Sequence, residues 1–267
     1  MLSDSTVVRR VGRRYLRLDR RVAGYARLSP SILREFLTYT VVGLSGDAAA
    51  VDARAASLAH NIQKITEAKF RLAERLANDI LARAESLEQG TSQHLCVLLA
   101  GDVVYGMAHD CPRPERSTGA MVKGSDIDLV VLTQDDLPAD LVEQIDQLVY
   151  QWKYRLLINP SDREEVDYVV KPISRVREQA AFVDFKDMVA CKILHESVRL
   201  AGSKELHDKA LRVLEERGIP ALLARMEEQA VIFREEAEKH LLARGEKALE
   251  SEDSYLFYTS EETEEFD

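Results

Sequence analysis

Apolar residues recur along this chain with two different periods. Residues 47–88 contain no Gly or Pro, and Leu58, Ile62, Ile65, Leu72, Leu76, Ile80 and Leu87 fall at three–four spacing. That spacing predicts one long amphipathic helix. Its apolar stripe needs a cover: the domain that follows it, or a second copy in a coiled coil. Lys69 and Arg83 break the heptad, which favours the first. From residue 90 the period shortens. "HLCVLLAG" (94–101), "SDIDLVVL" (125–132) and "EEVDYVVKP" (164–172) read as buried strands. Between the last two, "LPADLVEQIDQLVYQWKYRLL" (137–157) reads as a helix with Pro138 in its first turn. Residues 103–109 suit a short helix, and the Pro, Gly and Ser of 110–125 predict a loop.

After residue 172 the pattern is helical throughout: Asp184 to Gly202, Ser203 to Gly218, and Pro220 to about Arg244. Residues 6–45 read as short helices or extended pieces, with Ser29 as an N-cap and Pro30 as a first helical residue. The expected fold is α+β: a small mixed β-sheet core flanked by N-terminal and C-terminal helices. The expected regions are a helical segment with a basic arm (1–90), the core (91–202), a helical region (203–249) and an acidic, disordered tail (250–267).

Charge sharpens this division. The chain carries a net −10, which disfavours general binding to nucleic acid or anionic membrane. The first thirty residues nonetheless hold eight Arg against Asp4 and Asp19, and residues 250–267 hold eight acids and no base. An interaction arm and a solvated tail follow from that asymmetry. The arm "RRVGRRYLRLDRR" (9–21) suits RNA, with Arg for phosphates and Tyr15 for stacking, and equally suits an acidic protein surface, including another copy. Tyr255, Phe257 and Tyr258 could anchor the tail on a groove. Cys96, Cys111 and Cys191 lack C-x-x-C spacing and fit a reducing compartment. No leader-like or membrane-spanning apolar run is present, so the expected location is cytoplasmic.

Chemistry concentrates in "KGSDIDLVVL" (123–132). On a strand, residues i and i+2 share a face, so Asp126 and Asp128 project together where an apolar element begins. Two adjacent carboxylates in that setting are costly unless a cation neutralises them. Mg²⁺, which takes hard oxygen ligands, is the natural candidate. Asp167 stands in a third strand, within "VDYVV". If the two strands are neighbours, three carboxylates converge, an arrangement that can hold two metal ions for phosphoryl or nucleotidyl transfer. Lys171, four residues on, would point to the same side as Asp167 and could touch a phosphate. His109 and His195 are weaker candidates, since an isolated His more often packs or sits on the surface.

At these positions the chain resembles the nucleotidyltransferase superfamily that includes DNA polymerase β. The family's core pattern is G-S-x-A-x-G after a buried strand, then S-D-h-D-h with h apolar, then a third acid on a later strand. "SDIDL" (125–129) matches the second element, Asp167 the third, and Gly101 and Gly106 of "GDVVYG" (101–106) the two glycines of the first. "KILHESVRLAG" (192–202) is similar to the helix that closes minimal members. The resemblance covers residues 94–202.

It implies transfer of a nucleoside monophosphate from an NTP to an acceptor hydroxyl on RNA, protein or a small molecule. Asp126, Asp128 and Asp167 would hold two Mg²⁺ (or Mn²⁺) ions, with Asp167 as general base. Gly101 and the backbone after it would receive the phosphates, helped by Ser125. Two features depart from the pattern. Asp102 stands where the family has Ser, and a carboxylate there repels a triphosphate unless it turns away or helps a cation. Residues 107–124 form a longer loop, carrying Arg113, Arg116 and Lys123. A catalytically silent binding or assembly module with the same fold is the alternative.

Overall fold

The computed structural model describes residues 6–115, 118–245, 253–259 and 262. The elements run β1 (Thr6–Arg10), β2 (Tyr15–Leu18), β3 (Ala26–Ser29), α1 (Ile32–Tyr39), β4 (Thr40–Leu44), α2 (Ala48–Leu87), β5 (Leu95–Ala100), β6 (Pro112–Pro114), β7 (Met121–Lys123) and β8 (Ile127–Thr133). They continue with α3 (Ala139–Ile158), β9 (Val166–Pro172), α4 (Ile173–Gln179), α5 (Phe185–Glu196), β10 (Val198–Gly202), α6 (Lys204–Glu216), α7 (Ile219–Arg244) and α8 (Ser254–Phe257). The fold is α+β. The chain divides into two compact units, residues 65–222 and the two ends, 1–64 with 223–267.

The 65–222 unit is built on a mixed sheet of order β10-β5-β8-β9. β5 and β8 are antiparallel, and β8 and β9 are parallel, joined through α3. Alternation sorts the side chains. Leu95, Val97, Leu99, Ile127, Leu129 and Val131 face a core made with Ala73, Leu76, Ala77, Ile80 and Ala84 of α2 and Leu141, Ile145 and Val149 of α3. The C-terminal half of the long helix therefore covers its stripe with its own unit's sheet. Lys69, the residue that broke the heptad, is buried: its Nζ donates to Lys123 O at 2.9 Å and pairs with Glu164. Helices α4, α5 and α6 lie against the sheet from other elements of the same unit.

Two predicted helices are corrected. Residues 197–202 do not continue a helix from Asp184. α5 stops at Glu196, and β10 pairs antiparallel with β5, Val198 opposite Leu99. The edge backbone groups of β5 need a partner, and that need overrides the local helical pattern. Residues 103–109 form tight turns rather than a helix, with the N–H groups of Val104 and Tyr105 both donating to Gly101 O. The 110–125 loop contains a small hairpin, β6 with β7. Arg116 lies outside the described residues.

In the other unit, β2 pairs with β3 and β1 with β4. The segment read as an arm thus contributes Tyr15, Leu16, Leu18 and Val22 to a core. α1 begins after Ser31, whose Oγ accepts from Arg34 N at 3.1 Å. Ser29, the expected cap, is instead in β3 opposite Tyr15. The arginines meet acids of the same chain. Arg14 donates to Glu35 at 2.7 and 2.8 Å and to Glu238 at 2.9 Å, and Arg234 donates to Glu35 and Glu238, each at 2.8 Å. Arg9 pairs with Asp52 and Arg27 with Asp19. The tail is not disordered where it is described: α8 buries Leu256 against Ala237 and Leu241, and Arg27 donates to the carbonyl of Tyr255 at 3.2 Å. Residues 250–252, 260–261 and 263–267 lie outside the described residues.

Candidate functional site

The parallel pairing of β8 with β9 sets Asp128 directly opposite Asp167, and Ile127 opposite Val166. Paired residues point to the same face, so the two carboxylates share it, and Asp126 precedes them by one strand period. β5 brings a fourth acid. Ala100 pairs with Asp128, so the turn after β5 opens beside that carboxylate. Gly101 takes φ +72°, and a Cβ there would lie 1.9 Å from Asp128 Oδ2. Only glycine meets both conditions.

Asp102 does not turn away from the cluster. Its Oδ2 accepts from Ser125 Oγ at 2.9 Å, and its charge acts on both Asp126 and Asp128. Ser125 is buried, and its Oγ also accepts from His109 N at 3.2 Å. The hydroxyl therefore positions Asp102. Glu196, at the end of α5, adds a fifth charge near Asp128.

The electrostatics follow from this crowding. Burial and the charges of Asp126, Asp102, Asp167 and Glu196 push the Asp128 carboxyl well above the ordinary carboxylate range. Asp126 is raised by burial, with Asp167 and Asp102 adding to it and Arg113 opposing. Among the described residues, no cation or hydrogen-bond donor serves Asp128. Its neighbours are served. Arg113 sits 2.8 Å from Glu165 and 3.9 Å from Asp126, and Lys153 sits 2.9 Å from Asp167 Oδ1.

The donor set suits a hard divalent ion in its chemistry. It offers carboxylate oxygens without thiolate or imidazole, one member unneutralised, and a glycine whose missing side chain lets the Asp128 carboxylate sit against the turn. Among the described residues, no three His, Cys, Asp or Glu side chains are already gathered into a ligating group. Asp167 is held by Lys153 and Asp102 by Ser125.

Lys171 is not brought to this place. It lies opposite Leu132, four residues along β9 from Asp167 and thus roughly 13 Å away. Its buried Nζ donates to Gln179 Oε1 at 2.8 Å, and burial lowers its pKa to about 8. His109 accepts from Cys111 N through Nδ1, and His195 is exposed on α5. Lys123 Nζ donates to Ser161 O. Gly106 closes the turn at φ +71°. The sequence pattern overlooked Lys153, Tyr105, Lys192 and Glu196. Of these, only Lys192 and Glu196 carried a local signal, their i,i+4 spacing on one helix.

No family model matches the chain, and no curated protein matches it. Four chains of solved structures match. One, "Crystal structure of the toxin-antitoxin with AMP-PNP", shares 18% identity over 58% of this chain and 94% of that chain, with a TM-score of 0.27. A likeness of that size carries no functional argument.

Proposed function

We propose that the 65–222 unit is a metal-dependent nucleotidyltransferase that moves a nucleoside monophosphate from an NTP to an acceptor hydroxyl. The observation that supports this reading is the register of Asp128 against Asp167, with Asp126 on the same face and the Gly101 turn beside them. Asp126, Asp128 and Asp167 would hold Mg²⁺ or Mn²⁺. A bound divalent ion supplies charge neutralisation at phosphate oxygens and acidification of an acceptor hydroxyl.

The chain's own groups do the rest. The Gly101 turn presents backbone N–H groups to phosphate oxygens, and its glycine lets them approach closely. The acceptor oxygen forms a bond to the α-phosphorus as the bond from that phosphorus to the bridging oxygen breaks, and pyrophosphate departs. Asp167, at the edge of the sheet and reachable by solvent, takes the acceptor's proton. Lys153, 2.9 Å from Asp167, fixes that carboxylate's position.

Asp102 favours a second reading, a catalytically silent binding or assembly module, because a fourth carboxylate facing the cluster repels a triphosphate. Transfer assays separate the two. Protein is given Mg²⁺ or Mn²⁺ and each NTP labelled at the α-phosphate, with RNA, protein or cell extract as acceptor. The active enzyme transfers label, and Asp128→Ala abolishes it. No transfer and no pyrophosphate release under any condition would leave the silent module.

A further inference from the structure

Glu196 raises a question that the carboxylate cluster does not answer. A nearly buried acid stands beside Asp128, adding repulsion to a place already crowded with negative charge. Its partners explain why it stays. Glu196 Oε2 accepts from Tyr105 Oη at 2.5 Å and pairs with Lys192 Nζ at 2.5 Å. Its Oε1 accepts from Gly101 N at 3.4 Å. The Lys192 ammonium lies 5.4 Å from the centroid of the Tyr105 ring. The side chains of Lys192 and Glu196 are 13% and 6% exposed.

Lys–Glu pairs at i,i+4 are ordinary on exposed helices, where they contribute little. This one is enclosed, and the glycine turn is bonded into it. A backbone N–H, a phenol and an ammonium all converge on a single anionic group. Topology creates the meeting: α5 ends at Glu196, and β10 then pairs Val198 with Leu99 of β5, so the helix end falls beside Gly101.

We infer that Gly101 N–H, Tyr105 Oη and Lys192 Nζ form a seat for the terminal phosphates of the nucleotide, and that Glu196 fills this seat when no nucleotide is bound. The inference rests on the function proposed above and assigns the residues that would hold its substrate. A phosphate offers the same donors more charge and more acceptor oxygens than a carboxylate. Glu196, with three side-chain torsions, can leave without moving the backbone. The exchange passes Lys192 from Glu196 to the phosphate, whose charge takes the place of the carboxylate's. Lys192 and Tyr105 are then binding residues, and Glu196 is a displaceable stand-in for the ligand.

Calorimetry with Mg²⁺ and the non-hydrolysable α,β-methylene analogue of each NTP tests this, with the matching nucleoside monophosphate as control. Lys192→Ala should weaken the triphosphate analogue roughly 10–100-fold, the range for losing a charge-assisted hydrogen bond. It should change the monophosphate less than about threefold, and Lys192→Arg should restore most of the loss. Tyr105→Phe, which removes only a hydroxyl, should weaken the analogue by roughly three- to tenfold. Glu196→Gln should tighten it, since a neutral amide competes less well for the ammonium.

Equal weakening of triphosphate and monophosphate by Lys192→Ala and Tyr105→Phe would overturn the seat, as would no change in either. Weakening by Glu196→Gln would overturn its role as a stand-in. If the wild type binds the analogues and these variants behave alike, only this inference fails. If the wild type binds none of them, the nucleotidyltransferase reading fails first.

Discussion

Each acid near Asp128 has a distinct partner, and those partners set what a substitution does. Asp102 is held by Ser125 and faces the cluster, so under the proposed function it is a charge that an incoming triphosphate would meet. Asp102→Ser is expected to tighten NTP binding in Mg²⁺ by roughly fivefold, the scale of one screened like-charge contact. Titration calorimetry reads this, and unchanged affinity would show that Asp102 contributes no repulsion.

Lys171 behaves differently. Burial lowers its pKa from an ordinary 10.5 to about 8, and the residue is 6% exposed. The unfolded chain therefore binds the proton more tightly than the folded one. Stability is diminished below about pH 8 and recovers as pH rises from there toward 10.5, a difference of roughly 3 kcal/mol at most. Lys171→Met should raise the melting temperature at pH 7, and the gain should shrink as pH approaches 10. A gain independent of pH would show that the buried ammonium is not its source. The pattern of residues placed Lys171 on the right strand. It could not show that Gln179, from α4, takes its Nζ.

At the scale of elements, the legible parts were those with strong local periodicity. α2 runs 48–87 against an expected 47–88, and α3 and the strands β5, β8 and β9 lie where their apolar runs predicted them. β10 was missed because its sequence, "VRLAG", is too short to set its own period against the helical run before it. The open edge of β5 makes it a strand, through long-range pairing that no local window contains. The turn after β5 was legible as two glycines, though not as a turn without a helix. Its first glycine is tightly constrained. Gly101→Ala should cost roughly 1–3 kcal/mol, because φ +72° strains an L-residue and the new methyl meets Asp128. Chemical denaturation measures it. Pairing it with Asp128→Gly, which removes the clash and leaves the strained φ, should recover part of the loss.

At the scale of the molecule, charge asymmetry was legible but its meaning was not. Eight arginines near the start and eight acids near the end suggested an arm and a tail. In the structure many of those charges pair within one unit. Arg14 and Arg234 share Glu35 and Glu238, Arg244 pairs with Asp253, and α8 buries Leu256. Composition cannot reveal such pairing: Arg14 and Glu238 are 224 residues apart, and Arg234 and Glu35 are 199 apart. Glu35→Ala is expected to destabilise this unit by about 3 kcal/mol, the cost of leaving enclosed guanidinium groups short of a counter-ion. Thermal unfolding at low and high salt would register it. Among the described residues no helix is long and apolar enough to cross a membrane.

The proposed function requires that Asp126, Asp128 and Asp167 share one cation, and Mn²⁺ titration followed by electron paramagnetic resonance tests this directly. Wild-type protein should remove free Mn²⁺ from solution. Asp126→Asn, Asp128→Asn and Asp167→Asn should each weaken that binding at least about tenfold, the scale of a lost charged ligand. Glu216→Gln, at an exposed acid on α6, should leave it unchanged. Equal Mn²⁺ affinity in the wild type and all three aspartate variants would contradict a shared metal site.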